Sequence, residues 1–222
     1  KKIFCYSNKL INFPKKYLHK IELIKPLIFK AFYELKKNKE KNDKICFLIF
    51  VGSQGAKIFD ELVKETMNDI SKSFSIKVIQ QTSSDNIENL KNFYNTKKIE
   101  NKIFNFEENF FNLINMSDLC ITRAGATSLA EISFLNKPFI AIPLPTAKDN
   151  HQMENAKFYE EMGCCWILDQ RTLTKEKLSN TLLNIIKKKS DLIIKKSNLE
   201  KLNYKNSWND VNQKLQKIIN EN

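Results

Sequence analysis

Arginine is nearly absent from this chain, and its scarcity argues against nucleic-acid binding, which the high positive charge would otherwise suggest. The formal net charge is +12, but only Arg123 and Arg171 among the 37 basic residues are arginine. Protein surfaces that recognise base edges or phosphates favour the guanidinium fork. The lysines are spread along the whole chain, so we expect a solvated surface and no nucleic-acid partner. A weak peripheral attraction to anionic membrane is the functional alternative.

Metal-binding residues are equally scarce. The only histidines are His19 and His151, and the five cysteines form no CxxC pair or other regular spacing. A zinc site needs such spacing, so we expect neither a metal ion nor another cofactor. Three of the cysteines lie in apolar, strand-like runs, which predicts buried, reduced thiols in a cytosolic protein.

Long apolar stretches are also missing. No stretch approaches the roughly 18 residues of a membrane span, although hydrophobic residues make up 42% of the chain. That proportion supports a packed core, and 222 residues suit one sizeable α/β domain or two small ones. The first residue is Lys1 and no secretory segment follows it, so we expect a fragment of a longer protein.

From residue 44 onward, apolar runs alternate with helix-permissive segments. Continuous apolar runs are typical of parallel strands that are buried on both faces. We predict strands at Lys1–Ser7, Ile45–Val51, Ser75–Gln81, Asp118–Thr122, Pro138–Ile142 and Cys164–Leu168, and helices at Ala56–Ser71, Asp85–Tyr94, Glu107–Met116, Thr127–Leu135, Asn150–Met162 and Lys175–Lys188. Thr172 or Thr174 is the expected N-cap of the last helix. The alternation predicts an α/β fold with a doubly wound parallel sheet, whose ligands bind at the carboxyl ends of the strands.

Glycine is rare, and only four glycines occur: Gly52, Gly55, Gly125 and Gly163. Three of them lie in two loops that follow predicted strands, where glycine permits a positive φ and a close approach of backbone N–H groups to a ligand. The first loop, residues 51–56, also presents the Ser53 hydroxyl at a helix N-terminus, which suits a diphosphate. It matches neither a Walker A loop nor GxGxxG, so an ordinary tight turn is an equal alternative.

The second glycine loop, residues 122–131, again runs from a strand into a helix. Thr127 or Ser128 can cap that helix, and Glu131 falls in its first turn or so. A carboxylate at this place can accept hydrogen bonds from both hydroxyls of a ribose. The alternative is a first-turn Glu that complements the helix macrodipole.

A third polar loop follows the predicted strand Pro138–Ile142. Its Asp149, Asn150 and Gln152 side chains can hydrogen-bond the hydroxyls of a sugar. Taken alone, the segment is better explained as the capped start of a helix, with His151 as a surface or capping residue.

These three loops, in this order and spacing, resemble the MurG family of GT-B glycosyltransferases. The segment GSQGA, residues 52–56, matches the first glycine loop of the family's C-terminal domain. The segment DLCITRAGATSLAE, residues 118–131, resembles the family pattern D-x-x-[IV]-x-R-[SA]-G-A-x-T-x-x-E, with Ser128 at the threonine position. KDNHQMENA, residues 148–156, matches the start of the family's next helix. As an ordered set the motifs are highly specific, and the likeness covers residues 45–183.

The resemblance implies the C-terminal, Rossmann-like half of a GT-B fold. It also implies an inverting transfer of N-acetylglucosamine from UDP-N-acetylglucosamine to the lipid-linked muramoyl-pentapeptide of peptidoglycan synthesis, without an essential protein-bound metal. The implied substrate-binding positions are Ser53, Gln54 and Gly55 at the diphosphate; Arg123, Gly125, Ala126, Thr127 and Ser128 in the second loop along the nucleotide; Glu131 at the ribose; His151 and Gln152 at the sugar hydroxyls; and Glu107, beside Phe106, at the uracil. The catalytic residues are unassigned, because the family's N-terminal domain holds the acceptor and the catalytic base.

The same resemblance divides the chain into residues 1–28 as the end of the acceptor domain, 29–43 as a lysine-rich connector, 44–190 as the UDP-sugar-binding domain and 191–222 as C-terminal helices. The family's G-N-P-[VI]-R junction is Ile24–Ile28 here, so Ile28 takes the place of an arginine that can bind phosphate through two bonds. The implied location is cytoplasmic and peripheral on the inner face of the cell membrane. The alternatives are a split donor-binding subunit that needs a partner chain, and a related UDP-sugar glycosyltransferase or epimerase.

Overall fold

The computed structural model of the chain describes residues 1–6, 10, 13–28, 32–33, 43–51, 56–202 and 207–220. Within these residues the strands form two sheets. A small parallel sheet near the N-terminus pairs β1 (Ile3–Cys5) with β2 (Ile21–Leu23). The larger sheet contains β3 (Ile45–Phe50), β4 (Ile76–Gln81), β5 (Glu100–Phe104), β6 (Leu119–Thr122), β7 (Phe139–Ala141) and β8 (Cys165–Ile167).

Helices cover both faces of the larger sheet. They are α1 (Ala56–Ser71), α2 (Ile87–Thr96), α3 (Phe110–Met116), α4 (Ala126–Phe134), α5 (His151–Glu161), α6 (Lys175–Lys187), α7 (Lys189–Leu202) and α8 (Ser207–Asn220). On one face Leu48 and Phe50 of β3 share a core with α3, α4, α5 and α7. On the other face Phe47 and Ile49 share a core with α1, α2 and α6. Because β3 is buried on both sides, its sequence is apolar without interruption, and the predicted doubly wound fold is confirmed.

The order of the strands locates the binding crevice. The order is β5-β4-β3-β6-β7-β8, and every pairing is parallel. The chain builds the sheet outward from β3 to β5 in one direction and from β6 to β8 in the other. The helices that follow β3 and β6, α1 and α4, therefore lie on opposite faces of the sheet. In doubly wound sheets this change of face opens a crevice at the carboxyl ends of the two strands.

The sequence pattern misses β2 in the small sheet and one strand of the larger sheet, β5. β5 has the sequence ENKIF, and only Ile103 and Phe104 are buried. It lies at the edge of the sheet, where it pairs with β4 alone, so one side faces solvent and no continuous apolar run is needed. The predicted helix at Glu107–Met116 begins later, at Phe110, because the preceding residues form the turn that leaves this edge strand.

The segment before β3 contacts the end of the chain. The Trp208 indole of α8 donates a hydrogen bond to the Ile28 carbonyl oxygen at 2.7 Å, and Lys214 donates to the Leu23 carbonyl oxygen at 2.5 Å. Ile28 itself is fully buried in the core cluster that contains Phe32. At the position of the family's junction arginine, this chain therefore has a core side chain. The division at residues 28, 43 and 190 stays a prediction, and most of the segment 29–43 lies outside the described residues.

Four buried thiols are chemically shielded. Cys46, Cys120, Cys164 and Cys165 are free and buried, one more than the three that the apolar runs predict. Burial raises the pKa of Cys46 and Cys164 to about 11 and that of Cys120 and Cys165 to about 12. No helix in the described part of the chain is long and apolar enough to cross a bilayer, and no group of three or more metal-ligating side chains occurs there.

We expect alkylation of the folded chain at pH 8 to be confined to Cys5, which is only half-buried. At that pH about one in a thousand or fewer of the four buried thiols is ionised, and the thiolate is the reactive form. Mass spectrometry after a short iodoacetamide pulse checks this. Labelling of the other four cysteines should appear only in denaturant, and their rapid labelling without denaturant would contradict the buried placement.

Gly163 ends α5 with a left-handed backbone, and its replacement is expected to destabilise the fold. Its φ is +67°, and an added Cβ would lie 2.7 Å from Nδ2 of Asn198, which donates to the Gly163 carbonyl oxygen. We expect Gly163→Ala to lower the free energy of unfolding by about 1–3 kcal/mol. Urea denaturation measures the change. Gly125→Ala is the matched control, because Gly125 has φ −67° and an added Cβ would meet only the Ser128 hydroxyl at 3.8 Å. Equal stability of both variants would contradict the account.

Candidate functional site

The candidate site is the crevice at the carboxyl ends of β3 and β6. The chain leaves β3 through residues 52–55 and enters α1 at Ala56. Ser53, Gln54 and Gly55, the predicted diphosphate contacts, lie outside the described residues together with Gly52. Their roles remain predictions. What the structure describes is the helix that they precede and the neighbouring loops.

The loop between β6 and α4 presents a helix start without a side-chain cap. Gly125 is the N-cap residue, with φ −67° and ψ 135°, and no side chain caps it. The expectation that Thr127 or Ser128 caps this helix is therefore wrong, because both residues lie inside its first turn. Gly125 also does not use the positive φ that glycine permits. The first N–H groups of α4 therefore donate no hydrogen bond to an N-cap side chain, and a helix start of this kind can donate to an anion.

Glu131 lies in the second turn of α4, one turn later than expected. At this position it follows Thr127 and Ser128 by four and three residues, so the three side chains share one face of the helix. Burial raises the pKa of Glu131 to about 7. A partly buried carboxylate of this kind is stabilised by a ligand that donates hydrogen bonds to it. Glu131 also lies too far along α4 to be explained as a first-turn residue that complements the helix macrodipole.

Two side chains of α5 hold the backbone of the glycine loop. The Gln152 side-chain oxygen accepts hydrogen bonds from the Ala124 N–H at 3.2 Å and from the Leu144 N–H at 3.0 Å. The Asn155 amide donates to the Ala124 carbonyl oxygen at 3.0 Å. Both polar groups of Ala124 are thus bonded from α5, and Gln152 ties the loop after β6 to the loop after β7. Both bonds use the Gln152 oxygen, and among the described residues the Gln152 amide nitrogen has no hydrogen-bond partner.

Arg123 is engaged with the protein. It is 8% exposed, and its Nη1 donates to the Ile142 carbonyl oxygen at 3.1 Å and, through a short contact, to the side chain of Gln170. The guanidinium carbon lies 5.3 Å from the centroid of the Phe59 ring, and burial lowers the pKa of the group. Its Nε is buried without a hydrogen-bond partner among the described residues. These contacts brace the ends of β6 and β7, and substrate binding by Arg123 remains a prediction.

The turn after β5 carries the predicted uracil contacts. Phe106 is 80% exposed. Glu107 forms a 2.5 Å ion pair with Lys102 and accepts from the Asn109 N–H at 3.3 Å, and the Lys102 hydrogen bond lowers the pKa of Glu107. The Glu107 side chain is therefore fixed by its neighbours, which leaves the backbone of the turn and the Phe106 ring for a ligand.

The loop before α5 is strained. Asp149 and Asn150 both adopt left-handed backbone conformations, with φ of 52° and 54°. The exposed His151 opens α5 and places Nδ1 2.7 Å from the Lys148 carbonyl oxygen. Successive left-handed residues are costly outside glycine and persist where the surroundings impose them, which is common at ligand-binding sites. Thus the structure brings Gly125, Gln152 and Ala124 into one connected set, with His151 at its rim.

Sequence reasoning misses three structural supports of this edge. Asn155 appears in the quoted motif without a role, although its spacing from Gln152 places both on one helix face. Gln170 gives no sequence signal, because its partner Arg123 lies 47 positions away. Asp60 does give a signal, since a carboxylate beside Phe59 and Val63 interrupts the buried face of α1.

Comparisons with known proteins identify the family to which this chain belongs. Residues 46–214 match the model of the glycosyltransferase family 28 C-terminal domain. The chain is 48% identical over 221 residues to a Pelagibacter ubique protein named UDP-N-acetylglucosamine–N-acetylmuramyl-(pentapeptide) pyrophosphoryl-undecaprenol N-acetylglucosamine transferase, which covers 100% of this chain and 62% of that protein. A Rickettsia bellii protein of the same name is 35% identical over 155 residues, or 68% of this chain and 44% of that protein.

A solved structure supports the fold. The crystal structure of Acinetobacter baumannii MurG aligns with a TM-score of 0.74 at 23% identity, over 89% of this chain and 57% of that chain. The chain therefore spans less than two thirds of the length of the relatives that it matches.

Proposed function

Because the chain belongs to the family of glycosyltransferase family 28 C-terminal domains, we propose that it binds the UDP-N-acetylglucosamine donor of an inverting N-acetylglucosaminyltransferase. The whole enzyme transfers the sugar to the lipid-linked muramoyl-pentapeptide precursor of peptidoglycan. The observation that carries the proposal is the uncapped start of α4 at the crevice, with Glu131 one turn along the same helix. An anion at the helix start and a hydroxyl pair at the carboxylate are the chemical requirements of a nucleoside diphosphate.

The reaction needs a leaving group that is stabilised as it departs. The acceptor hydroxyl attacks the anomeric carbon, the bond from that carbon to the diphosphate oxygen breaks, and UDP leaves with the added negative charge. The N–H groups at the start of α4 and the loop before α1, with Ser53, Gln54 and Gly55, receive this charge. Donors that are already oriented before the reaction lower the barrier because they do not have to reorganise. The catalytic base is not assigned to this chain.

The remaining donor contacts follow from the neighbouring loops. Glu131 accepts from the ribose hydroxyls, and the turn at Phe106 and Glu107 binds the uracil. An exposed aromatic ring can stack on a base. Gln152 uses its free amide group, with His151, on the hydroxyls of N-acetylglucosamine, while its oxygen holds the loops.

The proposal places the enzyme in the cytoplasm, in peripheral contact with the inner face of the cell membrane. Its support is the acceptor, which is lipid-linked, and the net charge of +12. Lysine-rich surfaces are attracted to anionic lipid, and the attraction decreases with salt. Co-sedimentation with anionic and with neutral lipid vesicles tests this attraction. Equal binding to both kinds of vesicle would contradict an electrostatic contribution to membrane binding.

Calorimetric titration of the 222-residue chain tests the proposed donor. UDP-N-acetylglucosamine, UDP-glucose, UDP-galactose and ADP-glucose are titrated in separate experiments. We expect the UDP-sugars to bind, with UDP-N-acetylglucosamine the tightest, and ADP-glucose to bind weakly because the turn after β5 is assigned to uracil and adenine is the larger base. Absence of heat with every UDP-sugar, or equal affinity for ADP-glucose, would contradict the proposal.

A further inference from the structure

A buried polar cluster between α1 and β4 is not used by any of the proposed ligand contacts. Its centre is Asp60 in the second turn of α1, which is 1% exposed. The carboxylate accepts three side-chain hydrogen bonds: from Gln80 at 2.9 Å, from Thr82 at 2.5 Å and from Asn86 at 2.8 Å. Gln80 in turn accepts from the buried Tyr94 hydroxyl at 2.7 Å. The three donors to the carboxylate come from β4 and from the loop between β4 and α2.

This cluster fixes geometry at an energetic cost. Removing a carboxylate from water is unfavourable, and in the described part of the chain no cation is paired with Asp60. Apolar side chains could fill the same space, but they would allow α1 to slide along β4. Three directional bonds to one carboxylate allow a single placement of the helix relative to the strand. The cluster therefore holds the second turn of α1 in place against β4.

Thr82 connects the cluster to the turn after β5. Its hydroxyl donates to Asp60, its N–H donates to the Phe104 carbonyl oxygen at 2.8 Å, and its carbonyl oxygen accepts from the Asn105 side chain at 3.0 Å. The Gln81 side chain completes the clamp by donating to the Asn105 carbonyl oxygen at 3.0 Å. The clamped residue, Asn105, immediately precedes Phe106.

We infer that Asp60, Thr82 and Asn105 are positioning residues that set the distance between the phosphate-binding start of α1 and the base-binding turn after β5. This inference rests on the proposed function and extends it to the question of how one site holds both ends of a nucleoside diphosphate. None of the three residues is assigned a contact with the ligand. A ligand that spans both ends depends on their separation, whereas a ligand that occupies one end does not.

The test compares UDP with uridine, which lacks the phosphates. Thr82→Val removes the hydroxyl and keeps the backbone clamp, and Thr82→Ser keeps the hydroxyl. We expect Thr82→Val to lower the affinity for UDP by about tenfold, to leave the affinity for uridine unchanged, and Thr82→Ser to restore UDP binding. Asn105 is exposed, so Asn105→Ala is a second variant that folds even where Thr82→Val is unstable. It breaks the same connection at its other end.

Thr66→Val is the matched control, because the Thr66 hydroxyl is buried in α1 without a partner among the described residues. It should leave the affinity for UDP unchanged. If the three residues form one connection, the losses of Thr82→Val and Asn105→Ala should not add in the double variant. Wild-type UDP affinity in both folded variants, additive losses, or equal losses for UDP and uridine would overturn the inference. Failure of the unaltered chain to bind UDP would instead overturn the proposed function.

Discussion

Replacing Glu131 with glutamine should lower the affinity for UDP at pH 8 by about 10–100-fold, because a hydrogen bond to a charged acceptor contributes about 1.5–3 kcal/mol. The side chain lies one turn inside α4, on the face of Thr127 and Ser128. Glutamine keeps its shape and removes the charge that draws both ribose hydroxyls. Titration calorimetry of the two proteins measures the change.

The effect should depend on pH in a defined direction. Burial raises the pKa of Glu131 to about 7, so the wild-type carboxyl group is largely protonated at pH 6 and largely ionised at pH 8. Wild-type affinity for UDP should therefore rise between these values, and the affinity of Glu131→Gln should not. For stability the sign is opposite. A raised pKa in the folded state contributes stability that is present below the unfolded value of about 4.5 and is lost as the pH rises through 7.

Glu131→Gln should consequently be at least as stable as the wild type at pH 8 while binding less ligand. Glu88→Gln is the control, because Glu88 is exposed on α2 and pairs with Lys91 at 3.0 Å. It should change neither quantity. UDP affinity that is independent of pH in the wild type, or retained in Glu131→Gln, would remove Glu131 from the site.

Two substitutions of Gln152 should separate its two roles. Gln152→Ala leaves the Ala124 and Leu144 N–H groups without their acceptor, and we expect the free energy of unfolding to fall by about 2–3 kcal/mol. The affinity for UDP-N-acetylglucosamine should fall as well, since the loop loses its brace. Gln152→Glu keeps an oxygen for both N–H groups and removes the amide donor.

The glutamate variant should therefore retain stability but lose the advantage of UDP-N-acetylglucosamine over UDP. Thermal denaturation and titration with both ligands supply the measurements. Glu154→Gln, an exposed position on the same helix that pairs with Lys157, is the control. If Gln152→Glu keeps the full preference for the sugar nucleotide, the amide group does not contact the sugar.

The fold follows from the sequence wherever a strand is buried on both faces. The run that becomes β3 is apolar throughout, and in β6 only the last residue, Thr122, is polar, so the positions of both strands are predicted within a residue or two. Thr174 caps α6 as expected, with its hydroxyl accepting from the Lys177 N–H at 3.2 Å. The edge strand β5 is missed because half of it faces water, and the periodicity of its apolar residues does not distinguish it from a loop.

The site is predictable as a set of loops and less so as a set of contacts. The motifs place Gly125 and Glu131 at the crevice, and the family that they suggest is confirmed by the match over residues 46–214. The motifs do not distinguish a side chain that contacts a ligand from one that braces the loop. Arg123 and Gln152 both form hydrogen bonds with the protein backbone. The same position in a motif allows a polar side chain to bond either the protein or a ligand, so the motif does not reveal which. The loop containing Ser53 lies outside the described residues, so its contacts remain predictions.

A crystal structure of the chain with UDP tests the central claim most directly. The account predicts the diphosphate between the starts of α1 and α4, the ribose hydroxyls within hydrogen-bond distance of the Glu131 carboxylate, and the base at the turn containing Phe106. A nucleotide bound on another face of the sheet, or bound at this edge with Glu131 turned away from the ribose, would contradict it.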